Sequence, residues 1–111
     1  MTTSTVFSTP PLYSTFGGDP DFGELVELFV NEMPRRLATL EQAFATGDQE
    51  ELRRVAHQIR GAAGSYGFHQ VTPFAARLEA ALVDKQPEAE IHAAFEELIQ
   101  VCHRLRAGAA T

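Results

Sequence analysis

From Phe22 onward the apolar residues recur at intervals of three and four, and no stretch alternates as a strand would. That spacing lays one apolar stripe along each of a series of helices. Phe22, Leu25, Val26, Phe29, Val30 and Met33 form the first stripe, and Leu37, Leu40, Ala43 and Phe44 the next. A third runs through Leu52, Val55, Ile59, Ala62, Ala63 and Tyr66. Val71, Phe74, Ala75, Leu78, Ala81 and Leu82 make a fourth; Ile91, Phe95, Leu98, Ile99, Cys102 and Leu105 make the last.

Residues with strong backbone preferences separate these stripes. Asp19 before Pro20 has the form of an N-cap followed by proline at the first helical position, and Thr72 before Pro73 repeats it. Pro34 has no N–H for the preceding turn, so the first helix is expected to end or kink there. Gly47 and Gly67 supply helix stops, and Gly108 is expected to end the last helix. Asp48 with Glu51 three residues on resembles a capping box. The polar segment 83–87 breaks the pattern once more. Short links between long amphipathic helices favour antiparallel neighbours. The expected fold is therefore all-α: an antiparallel up-down four-helix bundle over residues 19–108, with an additional short N-terminal helix ahead of Pro34. Residues 1–18, rich in Ser, Thr, Pro and Gly, read as an irregular arm. Val6, Phe7, Leu12, Tyr13 and Phe16 make the arm too apolar for a fully solvated tail, so part of it is expected to lie across the bundle.

The third helix carries more than a core stripe. At about 100° per residue, His57 points roughly 180° from the centre of its apolar face. Gly61 and Gly64 fall within about 40° of the His57 direction, Arg53 lies on the same side, and Arg54 and Arg60 stand about 60° to either side. Glycine within a helix costs about 1 kcal/mol relative to alanine. Two of them beside an exposed histidine suggest ground cleared for a partner. An imidazole, with an ordinary pKa of about 6.5, is a nucleophile near neutral pH. It can take a phosphoryl group from an acyl phosphate, provided that donor and acceptor approach closely in line. A side chain at Gly61 would crowd that approach, while Arg60 offers charge-assisted hydrogen bonds to phosphate oxygens.

Composition narrows the field. With 44% hydrophobic and 22% charged residues in 111, the chain is globular, with length enough for one real core. A net charge of −6 argues against nucleic acid as the main partner. No apolar run approaches the ~20 residues that span a bilayer, and no secretory signal pattern opens the chain. The single cysteine, Cys102, fits a reducing cytoplasm and inert packing. His69, His92 and His103 match no common zinc spacing, so neither a metal nor a cofactor is expected. An opening Met1 and a compact length fit a free-standing protein.

The run AHQIRGAAGSYGF resembles the signature of histidine-containing phosphotransfer (HPt) domains: His57, a basic residue three on (Arg60), a glycine four on (Gly61), small residues (Ala62, Ala63) and a second glycine ten on (Gly67). DFGELVELFVNEMPRRLATLEQAFATGD is similar to the family's first helices with their proline break, and Leu78–Glu79 fits its later pair. The resemblance covers about residues 19–107. It departs at Arg60, where lysine is commoner, and at Tyr66 and Phe68, which are bulkier than usual; an arginine keeps the charge but not the geometry.

This resemblance implies a phosphorelay carrier with His57 as phosphoacceptor and Arg60 in the phosphoryl environment. The expected partners are response-regulator receiver domains and hybrid histidine kinases, with Arg53, Arg54, Gly61, Gly64 and Phe68 as docking residues. The receiver would bring the acidic magnesium site and most catalytic groups, so the chain is not expected to be an enzyme in its own right. Two other classes compete. A non-phosphorylated interaction module would dock and inhibit a receiver or histidine kinase and would bind regardless of His57. A hydrolytic or metal enzyme has little support, because no grouped carboxylates or nucleophile triad is evident.

Overall fold

The computed structural model describes residues 10–109. Val6 and Phe7 of the arm lie outside them. Four α-helices follow in order: α1 (Gly23–Thr46), α2 (Gln49–Ser65), α3 (Thr72–Val83) and α4 (Glu88–Cys102). They are flanked by β1 (Leu12–Tyr13) and β2 (Leu105–Arg106). The helices form a bundle in which α2 packs on both α1 and α3, and α3 on α4.

The core follows from the stripes. Val26, Phe29, Met33, Leu37 and Leu40 of α1 are buried against Leu52, Val55, Ile59 and Ala63 of α2, with Leu78 and Leu82 of α3 and Phe95 and Leu98 of α4 closing the interior. Leu25 departs from its expected place: at 42% exposure it stands outside the stripe, and Leu28 beside it is exposed too.

The helix starts are more varied than the cap residues suggest. Asp48 accepts a hydrogen bond from the Glu51 amide at 3.1 Å, half of the expected capping box; the Glu51 carboxylate turns instead to Arg54. Asp19 Oδ1 accepts from the amides of Asp21 and Phe22, but this caps a turn, and α1 itself begins at Gly23. Thr72 opens α3 without capping it; Val71 holds the N-cap position and the Thr72 hydroxyl is buried with no hydrogen-bond partner.

Three further expectations are corrected. No separate short helix precedes Pro34, because α1 runs unbroken through it. Pro34 is exposed, so its ring projects into solvent, and a single missing backbone bond is outweighed by apolar packing on both sides of it. The last helix ends at Cys102, not at Gly108. Leu105 keeps its inward direction by another means: it lies in β2, which pairs in parallel with β1, Leu12 opposite Leu105 and Tyr13 opposite Arg106. Two strands therefore do exist, each too short to alternate.

That pairing ties residues 10–16 to the bundle. The Leu12 amide donates to the Arg104 carbonyl at 2.7 Å, and Arg104 Nε donates to the Pro10 carbonyl at 2.9 Å. Beyond it, Ser14 Oγ donates to the Tyr66 carbonyl at 2.5 Å and the Thr15 amide to the Gly67 carbonyl at 3.1 Å, so the segment caps the C-terminal end of α2. Gly67 is required twice over. Its φ of +84° favours glycine, and a Cβ there would lie 2.5 Å from Ser14 Oγ.

Candidate functional site

α2 is anchored at both ends, by Asp48 at its start and by Gly67 with the N-terminal segment at its finish. Leu52, Val55, Ile59 and Ala63 fix its rotation by burying one face. Once that face is set, His57 must stand on the other. Its side chain is 60% exposed.

Its ring is held from a neighbouring helix. Nδ1 of His57 lies 2.9 Å from Oε2 of Glu79 on α3, and Arg60 brings a guanidinium nitrogen to 3.3 Å from the same Nδ1. Both contacts cannot be hydrogen bonds at once. A carboxylate only accepts and a guanidinium only donates, so the shorter, charge-assisted contact decides the tautomer: Nδ1 carries the proton and donates to Glu79. Arg60 is then placed by its charge. Its Nε lies 3.4 Å from Glu79 Oε1, an ion contact without hydrogen-bond alignment, and that oxygen is otherwise buried and unpartnered. Glu79 is only 14% exposed, so the carboxylate is screened from solvent while the ring is not. In the neutral ring the lone pair then falls on the remaining nitrogen, Nε2, which has no hydrogen-bond partner among the described residues.

The surroundings differ from place to place. A Cβ at Gly61 would meet nothing within 4 Å, so no packing inside the molecule accounts for that glycine. Gly64 is half-buried, and a Cβ there would touch Thr72 Oγ1 on α3 at 3.8 Å, an ordinary contact. Arg53 is exposed, with no carboxylate within 4 Å among the described residues. Arg54 instead donates from two of its three guanidinium nitrogens to Glu51, at 2.8 and 2.5 Å, which raises its own pKa and holds the Glu51 carboxyl below the usual carboxylate range. Its charge is largely spent within its own turn.

Phe68 cannot serve as a docking residue: it is 0% exposed, stacked on Phe29 with ring centroids 5.8 Å apart. The chain turns at Gly67, so the helical arithmetic that served up to Ser65 no longer gives a direction at Phe68. Glu79 is the converse case. It was visible only as part of a sequence pair, and its contact with His57 comes from the packing of α3 on α2.

His69, His92 and His103 are exposed and far apart in the chain; His92 lies against Phe44 and Glu96. Among the described residues no group of three or more His, Cys, Asp or Glu is placed to hold a metal ion. Cys102 is buried, and loss of hydration pushes its thiol up to about 12. Nor, among the described residues, is any helix long and apolar enough to cross a membrane.

Residues 24–108 match the family model of the Hpt domain. The chain belongs to the Hpt domain family. Comparison with curated proteins and with solved structures gave no match. Membership carries a coarse role: Hpt domains are phosphotransfer carriers of two-component systems, working with response regulators and kinases, and are not enzymes in the usual sense. In this Hpt domain the exposed histidine, the half-buried carboxylate behind it and the bare glycine beside it lie together on the α2–α3 face.

Proposed function

We propose that this Hpt domain is a cytoplasmic phosphorelay carrier whose phosphoacceptor is Nε2 of His57, exchanging the phosphoryl group with aspartates of receiver domains. The observation that carries this reading is the ring's two-sided environment: Nδ1 tied to Glu79 at 2.9 Å, Nε2 free on an exposed crest. In the forward step the Nε2 lone pair forms the N–P bond as the P–O bond to the partner's aspartate breaks, and the carboxylate leaves. The ring keeps its Nδ1 proton and gains a positive charge, which the Glu79 carboxylate faces directly. Preorganised charge of this kind stabilises a transition state without reorganisation at the moment of reaction. Arg60, 41% exposed, is near enough both to hold Glu79 and to meet phosphoryl oxygens. Open space at Gly61, with Gly64 one turn further, gives the partner backbone room to approach. In this reading the receiver supplies the magnesium site.

The test is transfer from a phosphorylated receiver domain or hybrid kinase. One acid-labile, base-stable site should be labelled, and His57→Gln should abolish the label. Full labelling of His57→Gln would overturn the assignment. Undiminished binding of that variant, with no phosphohistidine in the wild type, would favour a purely inhibitory docking module.

A further inference from the structure

Three of the four helices end in the same hydrogen-bonded turn, and one of the three uses an unexpected residue. At the end of α1, Gly47 N bonds to Phe44 O and Asp48 N to Ala43 O; after α2, Gly67 N bonds to Gly64 O and Phe68 N to Ala63 O. After α3, Lys85 N bonds to Leu82 O and Gln86 N to Ala81 O. This paired pattern places one residue in the left-handed region, where glycine is at ease. The first two turns have glycine, at φ +73° and +84°; the third has Lys85 at φ +54°, the one non-glycine residue with positive φ among those described. A long charged side chain held in a strained backbone conformation calls for a reason outside the turn itself.

The surroundings of Lys85 supply one. It lines a depression of about 500 Å³ with Gln49, Glu50, Arg53, Leu82 and Val83, between the start of α2 and the end of α3. Val83 is 58% exposed, the most exposed large hydrophobic residue of those described. Among the described residues neither Lys85 nor Arg53 has a carboxylate within 4 Å; Arg35 shares that state elsewhere on the surface, Arg104 and Arg106 donate to backbone carbonyls, and Arg36, Arg54, Arg60 and Arg77 each have a carboxylate. The depression also adjoins the phosphoacceptor: Arg53 is one helical turn before His57 on the same face, about 6 Å along the axis.

We propose that this depression is the docking groove for an acidic protein surface, that of the receiver domain which exchanges phosphate with His57. Arg53 and Lys85 receive carboxylates of the partner from the two walls, and Val83 receives an aliphatic side chain between them. The strain at Lys85 is retained because glycine would remove one of the groove's two cations. This rests on His57 being the phosphoacceptor, and it adds a direction: the partner's footprint extends from His57 toward the N-terminal end of α2, as well as over Gly61.

The experiment separates the two claims. Phosphoramidate, a small donor that needs no docking, labels His57 directly; purified receiver domains of the source organism, phosphorylated with acetyl phosphate, label it through docking. Lys85→Gly relieves the strained backbone, so it folds at least as well as the wild type. The expected result is a fall in kcat/KM for receiver-dependent transfer, about tenfold for Arg53→Gln combined with Lys85→Gly, through KM, measured as the ratio to phosphoramidate labelling. The steep loss of wild-type transfer between low and physiological salt should flatten in the variant, and Lys85→Arg should restore most of the rate. An unchanged ratio and salt slope would overturn the groove while leaving His57 as carrier. Labelling by phosphoramidate with no binding to any receiver would also overturn it, as would tighter binding to duplex DNA than to every receiver. Failure of both donors to label His57 would remove the carrier reading itself and, with it, this proposal.

Discussion

Nδ1 of His57 on α2 lies 2.9 Å from Oε2 of Glu79 on α3, so a residue 22 positions away is placed to orient the ring and favour the proton on Nδ1. Glu79 is the less exposed of the two, at 14% against 60%, so its carboxylate meets the ring from the protein side. Replacing Glu79 with alanine should therefore shift the ring toward the proton on Nε2, visible in the ¹⁵N shifts of the imidazole. Phosphoramidate labelling should slow by roughly 10- to 100-fold, on the scale seen when a metal-bound imidazole loses the carboxylate that orients it. Glu79→Gln keeps an acceptor but not the charge and should fall in between. Wild-type tautomer ratios in Glu79→Ala would show that the contact does not orient the ring.

The glycines of α2 separate into opposite cases. Gly61 sits in open helix, so Gly61→Ala should stabilise the fold by about 1 kcal/mol, raising Tm by about 4 °C, while slowing transfer from a phosphorylated receiver. Gly67→Ala should do the reverse to stability. A left-handed alanine and a Cβ 2.5 Å from Ser14 Oγ together cost ~2–4 kcal/mol. Thermal denaturation decides both. A Gly61→Ala variant no more stable than wild type would mean that the position meets a constraint the free space around it does not reveal.

Much of this was legible in the chain because it is local. The rotation of α2 follows from its own apolar stripe, the Asp48 cap from residues three apart, and the turns at Gly47 and Gly67 from residues that favour positive φ. What escaped was set by distant contacts. Leu105 continues the helical spacing of α4, yet leaves the helix because its backbone pairs with Leu12, at the other end of the chain. Pro34 reads as a break, but Met33 and Leu37 on either side are held in the core and keep the helix whole. The role of Glu79 depends on α3 packing beside α2, which no spacing within either helix encodes. Phe68 turns inward for a related reason: direction cannot be extrapolated across a glycine turn.

Cys102 gives a pH dependence with a definite sign. Burial pushes its thiol from 9.0 up to about 12, so the folded chain keeps a proton that the unfolded chain loses first. Below pH 9 both states hold the proton and the thiol adds no slope. Between about 9 and 12 the unfolded state alone is ionised, and stability falls as pH rises, by about 1.4 kcal/mol for each pH unit at most. Urea denaturation at stepped pH should show this slope in the wild type and a shallower one in Cys102→Val. The native thiol should also resist alkylation at pH 8. Rapid modification of folded protein at that pH would show that the thiol is reached without unfolding.

Lys85 should show stability and docking in conflict. Its left-handed conformation costs about 1–2 kcal/mol relative to glycine at the same place, and glycine would in turn lose some of that advantage through the greater freedom of the unfolded chain. The balance predicts that Lys85→Gly is more stable by about 0.5–1 kcal/mol, measured as a rise in the urea midpoint with an unchanged denaturant slope. Lys85→Ala, which keeps the strain, should show little or no gain. The contrast between those two variants matters more than either value, since both remove the same charge. Equal stabilisation by alanine and glycine would mean that the charge itself is unfavourable at the end of α3 and that the backbone carries no strain. A gain with glycine alone would establish that the turn holds a lysine against its own conformational preference.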